Sequence, residues 1–306
     1  MAATACGSPT PTEPSPAPTP TPSPTPARGV YVAGYEYSGV YDPNAGQPHP
    51  VAIVWKNGIA APLTDGTQDA YAGSVVVDGS DVYVVGRVNL NNHYPNDFAM
   101  LWKNGVATQL TDGTQWASAD SVTVSGSDVY VAGNEGDVAK VWRNGVQTAL
   151  ARVTLDVSAE AHSVAVSGSD VYVAGSVLAI ELSSSWSAVI WKNGAASTLA
   201  QGTMDVSAEA YSVAVGGSDV YVAGYTGEYP QYVATLWKNG VPTPLTDGTH
   251  QAAAHFVAVS GNDVYVAGYE SNGTHDVAKV WKNGVATPLT DGTHDAYANF
   301  ILVNSH

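Results

Sequence analysis

One internal repeat accounts for almost the whole chain from residue 29 onward. A Val-Tyr-Val-x-Gly segment occurs six times, at residues 30–34, 82–86, 129–133, 171–175, 220–224 and 264–268. Each copy is followed by a Trp-Lys/Arg-Asn-Gly sequence, which begins at Trp55, Trp102, Trp142, Trp191, Trp237 and Trp281. A unit this short cannot bury a core by itself, so the copies must pack against one another.

The repeat divides into four short strands. Strand A is a V-x-V run, found at Val75–Val77, Val122–Val124, Val164–Val166, Val213–Val215, Val257–Val259 and Ile301–Val303. Strand B is the Val-Tyr-Val segment, strand C is the apolar run ending in Trp, and strand D is the T-x-L stretch after it. Asn-Gly predicts a type I′ hairpin between C and D, and Ser-Gly-Ser-Asp predicts a turn between A and B. The spacing of 40 to 49 residues between successive Trp residues is typical of a four-stranded propeller blade.

The repeat boundaries predict how many blades form and how the ring closes. The first copy begins at strand B, with Val30, and the last copy ends after strand A, with Ile301–Val303. Pairing these two segments would complete a sixth blade from three N-terminal strands and one C-terminal strand, which would leave no sheet edge exposed. The prediction is therefore an all-β, six-bladed β-propeller with four-stranded antiparallel blades. An open solenoid is the alternative.

Charge and composition exclude several classes of function. The chain carries 27 Asp and Glu against 11 Lys and Arg, a formal charge of −16. A field of that sign repels phosphate, so we expect neither nucleic acid nor an anionic membrane surface as a partner. The single cysteine rules out an internal disulfide, and no apolar run approaches the roughly 18 residues of a membrane-spanning helix. Nothing in the sequence indicates oligomerisation, and we expect a monomer.

Residues 1–28 form a separate N-terminal region, and the propeller domain is expected over 29–306. Residues 7–27 are nearly all Pro, Thr, Ser and Ala, which predicts an extended tether without a core. Before the tether, Cys6 follows small residues and resembles the lipidated cysteine of a bacterial lipoprotein junction, although Ala3 stands where such junctions usually carry Leu. The resemblance implies a lipid anchor as the only membrane contact. An unmodified cysteine is the alternative.

The loops distinguish the two faces of the predicted disc. The step from the glycine of strand B to the following Trp varies from 9 to 21 residues, so length variation is concentrated in the BC loops. BC and DA loops share a face, and functional residues favour such variable loops. Candidate ligand-binding residues are the BC aromatics and the polar residues just before strand A: Tyr37, Tyr94, Trp186, Tyr225 and Tyr229, then His162, Tyr211 and His255. Gly73, Asp120 and Asn299 occupy the same repeat position as the last three.

Other repeated residues have structural explanations. The recurring Trp and Tyr are predicted to pack between blades, because a ligand role would not recur in every copy. Leu-Thr-Asp-Gly-Thr occurs in four DA loops and predicts a turn capped by Asp. A Ca²⁺ site there is the alternative, but the loops lack the acidic spacing of a calcium loop. We therefore predict no metal site and no cofactor, with Ca²⁺ as the open possibility.

The sequence leaves three functions open. The strand Asp-Val-Tyr-Val-Ala-Gly-Tyr resembles that of bacterial secreted or lipid-anchored β-propeller repeat proteins, over about residues 29–306, which implies an extracytoplasmic domain but no particular reaction. The leading hypothesis is a binding module for a glycan or a protein. A hydrolase or lyase using carboxylates at the channel mouth is the second, with Glu160 and Glu209 as an acidic pair that duplication of a repeat also explains. The third is a purely structural scaffold.

Overall fold

The computed structural model describes residues 29–42, 47–89, 97–152, 156–179 and 185–303. All regular secondary structure in these ranges is β, in 23 strands. No helix long and apolar enough to cross a bilayer occurs in them. The strands, grouped by blade, are: blade 1, β1 (Tyr31–Asp42), β2 (Gln47–Lys56) and β3 (Ile59–Pro62); blade 2, β4 (Ala70–Asp78), β5 (Asp81–Asn89), β6 (Asp97–Lys103) and β7 (Val106–Gln109); blade 3, β8 (Ala117–Ser125), β9 (Asp128–Glu135), β10 (Val138–Arg143) and β11 (Val146–Ala149); blade 4, β12 (Asp156–Ser167), β13 (Asp170–Ala179), β14 (Trp186–Lys192) and β15 (Ala195–Ala200); blade 5, β16 (Val206–Gly216), β17 (Asp219–Glu228), β18 (Gln231–Lys238) and β19 (Val241–Pro244); blade 6, β20 (Ala252–Ser260), β21 (Asp263–Ser271), β22 (Asp276–Lys282) and β23 (Val285–Pro288).

Each blade is a separate antiparallel sheet whose strands follow chain order. Blades 2 to 6 have four strands and blade 1 has three, β1-β2-β3. The inner strands β4, β8, β12, β16 and β20 pack successively against one another, and β1 packs against β4. This arrangement fits a six-bladed β-propeller, and in blades 2 to 6 it confirms the predicted division into strands A to D. Residues 295–303 follow blade 6 and are not assigned to a strand.

The turns on one face are built from the same side chains in successive blades. All six Asn-Gly turns have positive φ at both residues, as in Asn239 (52°) and Gly240 (80°), which confirms the predicted type I′ geometry. Asn239 Oδ1 accepts a hydrogen bond from the backbone N–H of Val220 at 2.8 Å, and its Nδ2 donates to Asp219 at 2.8 Å. These bonds join the CD turn to the AB turn of the same blade. The side chains of this face are therefore largely satisfied by one another.

A tryptophan from each blade fills the space between sheets. Trp102, Trp142, Trp191, Trp237 and Trp281 are completely buried, as predicted. The first copy, Trp55, is only half-buried, and among the described residues no fourth strand pairs with β1. The packing of these large apolar side chains between neighbouring sheets provides the main stabilisation that a single blade lacks.

Serines connect successive inner strands. Ser163 Oγ accepts a hydrogen bond from the backbone N–H of Val213 in the next blade at 3.2 Å, and Ser121 and Ser212 make the equivalent bonds at 3.2 Å. In blade 6 the serine is replaced by Phe256, whose ring packs against Phe300 with centroids 4.3 Å apart. The inter-blade contact therefore changes from a hydrogen bond to an aromatic pair at the last inner strand.

Candidate functional site

A β-bulge interrupts every inner strand at the same repeat position. The register with strand B shifts around one residue in each of β4, β8, β12, β16 and β20. The residues at the bulges are Gly73, Asp120, His162, Tyr211 and His255. These residues were predicted to lie just before strand A. They lie within it, because strand A also pairs with strand B on the N-terminal side of the bulge. Bulges re-aim side chains and are common beside functional sites.

The glycine of the Val-Tyr-Val-x-Gly segment makes this bulge possible. A Cβ atom at Gly175 would lie 1.9 Å from the backbone oxygen of Glu160, and one at Gly133 would lie 2.0 Å from that of Ser118. Any side chain at these positions would collide with the inner strand. The repeated glycine is therefore required by close backbone approach.

The bulge residues of blades 4, 5 and 6 contact one another. The rings of His162 and Tyr211 are 5.8 Å apart between centroids, as are those of Tyr211 and His255. His255 Nδ1 lies 2.9 Å from Oδ1 of Asn299, which occupies the same repeat position after blade 6. We call Gly73, Asp120, His162, Tyr211, His255 and Asn299 the inner row. It brings together three of the predicted ligand-binding residues.

The inner row continues outward into a path of aromatic rings. Tyr211 packs on Tyr225 at 5.8 Å, Tyr225 on Tyr232 at 4.3 Å, and Tyr232 on Tyr229 at 6.1 Å. On the other side, His255 contacts Tyr269 at 5.5 Å, and Tyr269 contacts Tyr297 at 5.0 Å. The exposed fraction rises from 6% at Tyr225 to 78% at Tyr229. This aromatic path, from His162 to Tyr229 and Tyr297, includes five of the predicted site residues.

The remaining predicted residues lie apart from the aromatic path or outside the described residues. Tyr37 is an exposed residue of β1 and contacts Tyr35, which packs on Tyr71. Trp186 is half-buried at the start of β14 and donates its backbone N–H to Ser207 Oγ at 3.1 Å. Tyr94 and Cys6 lie outside the described residues, as does the tether before residue 29.

A cavity of about 320 Å³ opens beside the inner row in blades 2 to 4. Asp120 and His162 line it, together with Tyr71, Arg87, Trp116, Ser118, Asn134 and Glu160. A second cavity, of about 360 Å³, shares Trp116 and Glu160 with the first. The cavity and the aromatic path meet at His162.

Asp120 is the most perturbed carboxyl group at this site. Its pKa is raised from 3.8 to about 6, mainly by burial, and the nearby Glu160 charge acts in the same direction. A hydrogen bond from Ser118 Oγ at 2.8 Å and the Arg87 charge act in the opposite direction. Arg87 also lies 3.6 Å from Asp97 and over the ring of Tyr71, so it does not serve Asp120 alone.

His162 and Glu160 differ from their counterparts in blade 5. Burial lowers the pKa of His162 to about 4, so the ring is neutral at pH 7. Burial also raises the pKa of Glu160, with a further contribution from Glu209. Glu209 accepts a hydrogen bond from Tyr225 at 2.7 Å, and its charge contributes, after burial, to the raised phenolic pKa values of Tyr211 and Tyr225. The two duplicated glutamates thus occupy different environments.

The Thr-Asp-Gly-Thr loops close on themselves. In the first loop, Asp65 Oδ1 accepts hydrogen bonds from the backbone N–H and the hydroxyl of Thr67, at 3.0 and 2.7 Å, and Gly66 has a φ of 79°. The same bonds recur at Asp112, Asp247 and Asp291. This geometry supports the turn interpretation of the motif. Within the described ranges, no three His, Cys, Asp or Glu residues are grouped to hold a metal ion.

Part of the cavity wall was not predicted from the sequence. Tyr71, Ser118, Glu160, Glu209, Ala253 and Tyr297 occupy one repeat position, two residues before the inner row. Alignment of the six copies at this position would have identified Tyr71 and Ser118. Arg87 occupies the repeat position of Asn134 and Tyr225, and Trp116 occupies that of Ser158, so the repeat alone does not distinguish either residue. The packing of blades 2 and 3 brings Arg87 and Trp116 to the cavity.

Comparison of the sequence with models of protein families finds no match, and comparison with curated proteins finds no relative. The function is therefore inferred from the geometry.

Proposed function

We propose that the protein is an extracytoplasmic binding module that holds a glycan on the face formed by the BC and DA loops. The observation that carries this proposal is the aromatic path, which is continuous from the exposed Tyr229 to the inner row. Tyrosine and tryptophan rings stack on the apolar faces of sugars while their polar groups hydrogen-bond to hydroxyls. A protein ligand is the other partner class that an exposed aromatic rim suits.

A glycan array with the intact chain tests the proposal. Tyr229→Ala removes the most exposed ring of the path, and Trp186→Ala removes a second loop aromatic. Val285→Ala, at an exposed position of an outer strand, is the control. We expect selective glycan binding that weakens severalfold in Tyr229→Ala and is unchanged in the control. Failure of the intact chain to bind any glycan or envelope protein would favour a purely structural scaffold.

The proposed location follows from the resemblance at Cys6, which lies outside the described residues. A lipidated Cys6 and the Pro/Thr tether would hold a monomeric domain at a bacterial cell envelope. Mass spectrometry of the chain from envelope fractions, compared with Cys6→Ser, tests this. Release of the protein by Cys6→Ser is the expected result, and equal retention of both forms would contradict the anchor.

We propose that Ile301–Val303 completes blade 1 as its inner strand. Val32 is 51% exposed, whereas its counterparts in the other five blades are 1–2% exposed. Among the described residues, only the Trp55 side chain lies within 4 Å of a Cβ at Gly34, where the other blades have the backbone of the inner strand. The register of the other blades would pair Val32 with Ile301. Such pairing would bury both residues and remove the free edge of β1.

Cysteine cross-linking tests this closure. Val32→Cys with Ile301→Cys, in a Cys6→Ser background, should form an intramolecular disulfide on oxidation. Ile59→Cys with Ile301→Cys places one cysteine on an outer strand and should remain reduced. Equal cross-linking in the two pairs, or none in the first, would contradict the closing blade.

A hydrolase or lyase is the second candidate, favoured by the perturbed carboxyl groups. Asp120, with a pKa of about 6, retains a proton at mildly acidic pH, as a general acid requires. Turnover on ester and glycoside panels, with and without chelator, tests activity and any Ca²⁺ requirement. Activity that is unchanged in Asp120→Asn, Glu160→Gln and Glu209→Gln would eliminate this site.

A further inference from the structure

The cavity in blades 2 to 4 is rich in hydrogen-bond acceptors and poor in positive charge. The carboxyl groups of Asp120 and Glu160 line it. Among its described lining residues, the permanent cation is Arg87, and Asp97 at 3.6 Å already faces that side chain. Carboxylates removed from water are stable when a cation is paired with them, and here one guanidinium is shared between Asp97 and the two carboxyl groups of the cavity.

His162 provides an independent observation. Its Nε2 atom is buried and, among the described residues, has no hydrogen-bond partner. The nearest acidic oxygen, Glu160 Oε2, is 3.8 Å away, which is too far for a hydrogen bond. A neutral imidazole that carries its proton on Nδ1 presents Nε2 as an acceptor. A buried acceptor without a donor is unfavourable, and a ligand that brings a donor would satisfy it.

We propose that this cavity binds the ammonium group of an amino sugar, with Asp120, Glu160 and His162 as its three acceptors. An ammonium group has three donors, no acceptor and one positive charge, which matches two carboxylates and one neutral imidazole. The inference rests on the proposed function, because the aromatic path that begins at His162 and Tyr211 is the surface against which the sugar ring lies. It specifies the ligand class that this surface selects.

Isothermal titration of the full chain at pH 7 with glucosamine, N-acetylglucosamine and glucose tests the inference. N-acetylation removes the charge and two of the ammonium donors while the sugar ring is kept. We expect glucosamine to bind at least about tenfold more tightly than either neutral sugar, a difference of about 1.4 kcal/mol. Equal affinity for glucosamine and N-acetylglucosamine would overturn the inference and leave the proposed glycan binding intact.

Two variants test whether the preference for glucosamine depends on the cavity. Asp120→Asn and Glu160→Gln keep the shape of the side chains and should each weaken glucosamine binding about tenfold, with little change for N-acetylglucosamine. Asp78→Asn is the matched control, since it removes a carboxylate from the exposed far end of β4. Circular dichroism and thermal unfolding establish that each variant is folded. Unchanged glucosamine affinity in both cavity variants, or an equal loss in Asp78→Asn, would refute the site. If none of the three sugars binds, the inference fails, and the glycan array decides the proposed function separately.

Discussion

Replacing Asp120 by Asn should stabilise the fold at neutral pH, which is the opposite of what most substitutions at half-buried positions do. The carboxyl group ionises with a pKa of about 6 in the fold against an ordinary value of 3.8, because burial disfavours its charged form. Folding therefore favours the protonated group, and the stability this provides is lost as the pH rises from about 4 through 6. Asparagine carries no charge and can still accept the hydrogen bond of Ser118.

The size of the effect follows from the pKa difference. Full ionisation of a group whose pKa rises from 3.8 to about 6 costs about 3 kcal/mol at pH 7. Because Asp120 retains some contact with solvent, we expect Asp120→Asn to gain about half of this, roughly 1–2 kcal/mol. At pH 4.5 the gain should fall to about one third of its value at pH 7.

Urea denaturation at pH 4.5 and pH 7, with Asp78→Asn as the control, measures the gain. The ionisable groups around Asp120 are Arg87, Glu160 and His162, and all three are present in both proteins, so their effects largely cancel in the difference. In thermal unfolding the expected increase at pH 7 is about 3 °C. A variant that is less stable than the parent at pH 7, or whose gain is equal at both pH values, would refute the assignment of a buried, uncompensated carboxylate.

Three further substitutions, two of them with a matched control, test the contacts between strands and between blades. Gly175→Ala should unfold blade 4 or lower the free energy of unfolding by more than about 3 kcal/mol, because its Cβ would lie 1.9 Å from a backbone oxygen. Gly73→Ala is the control: no atom lies closer than 3.9 Å to its Cβ, so the melting temperature should change little. Ser163→Ala removes a buried inter-blade hydrogen bond and should lower the free energy of unfolding in urea by about 1–2 kcal/mol; no change would mean that the bond is replaceable. Tyr225→Phe loses a hydrogen bond to a carboxylate and should cost about 1–2 kcal/mol, while Tyr229→Phe, at an exposed position, should cost nothing measurable by the same assay.

Much of the fold could be predicted from the repeat because the rules involved are local. The alternation of apolar residues, the Asn-Gly turns and the Asp-x-Thr turns depend on residues a few positions apart, and each adopts the predicted geometry. The fully buried Trp residues of blades 2 to 6 follow equally directly, since only packing explains a large aromatic residue that recurs in every unit.

The candidate site was predictable only in part. His162, Tyr211 and His255 stood out as polar residues at one repeat position, and Tyr225 and Tyr229 as loop aromatics. These residues form one aromatic path only because side chains of different blades lie close together. The spacing of residues within one repeat does not predict such distances. Trp116 was not predicted as part of the cavity wall for the same reason, since it reaches the cavity only when the blades pack together.

The chain by itself determined the repeated strand pattern, its turns and the residues that vary from copy to copy. Tertiary structure decided what those variable residues do, because the bulges arise only when strand A pairs with strand B across the glycine. It also decided the protonation of Asp120 and His162, since desolvation comes from neighbouring blades that are distant in sequence. The propensities for strands and turns depend on residues that are close in sequence, whereas the electrostatics of a site depend on the residues that surround it in space.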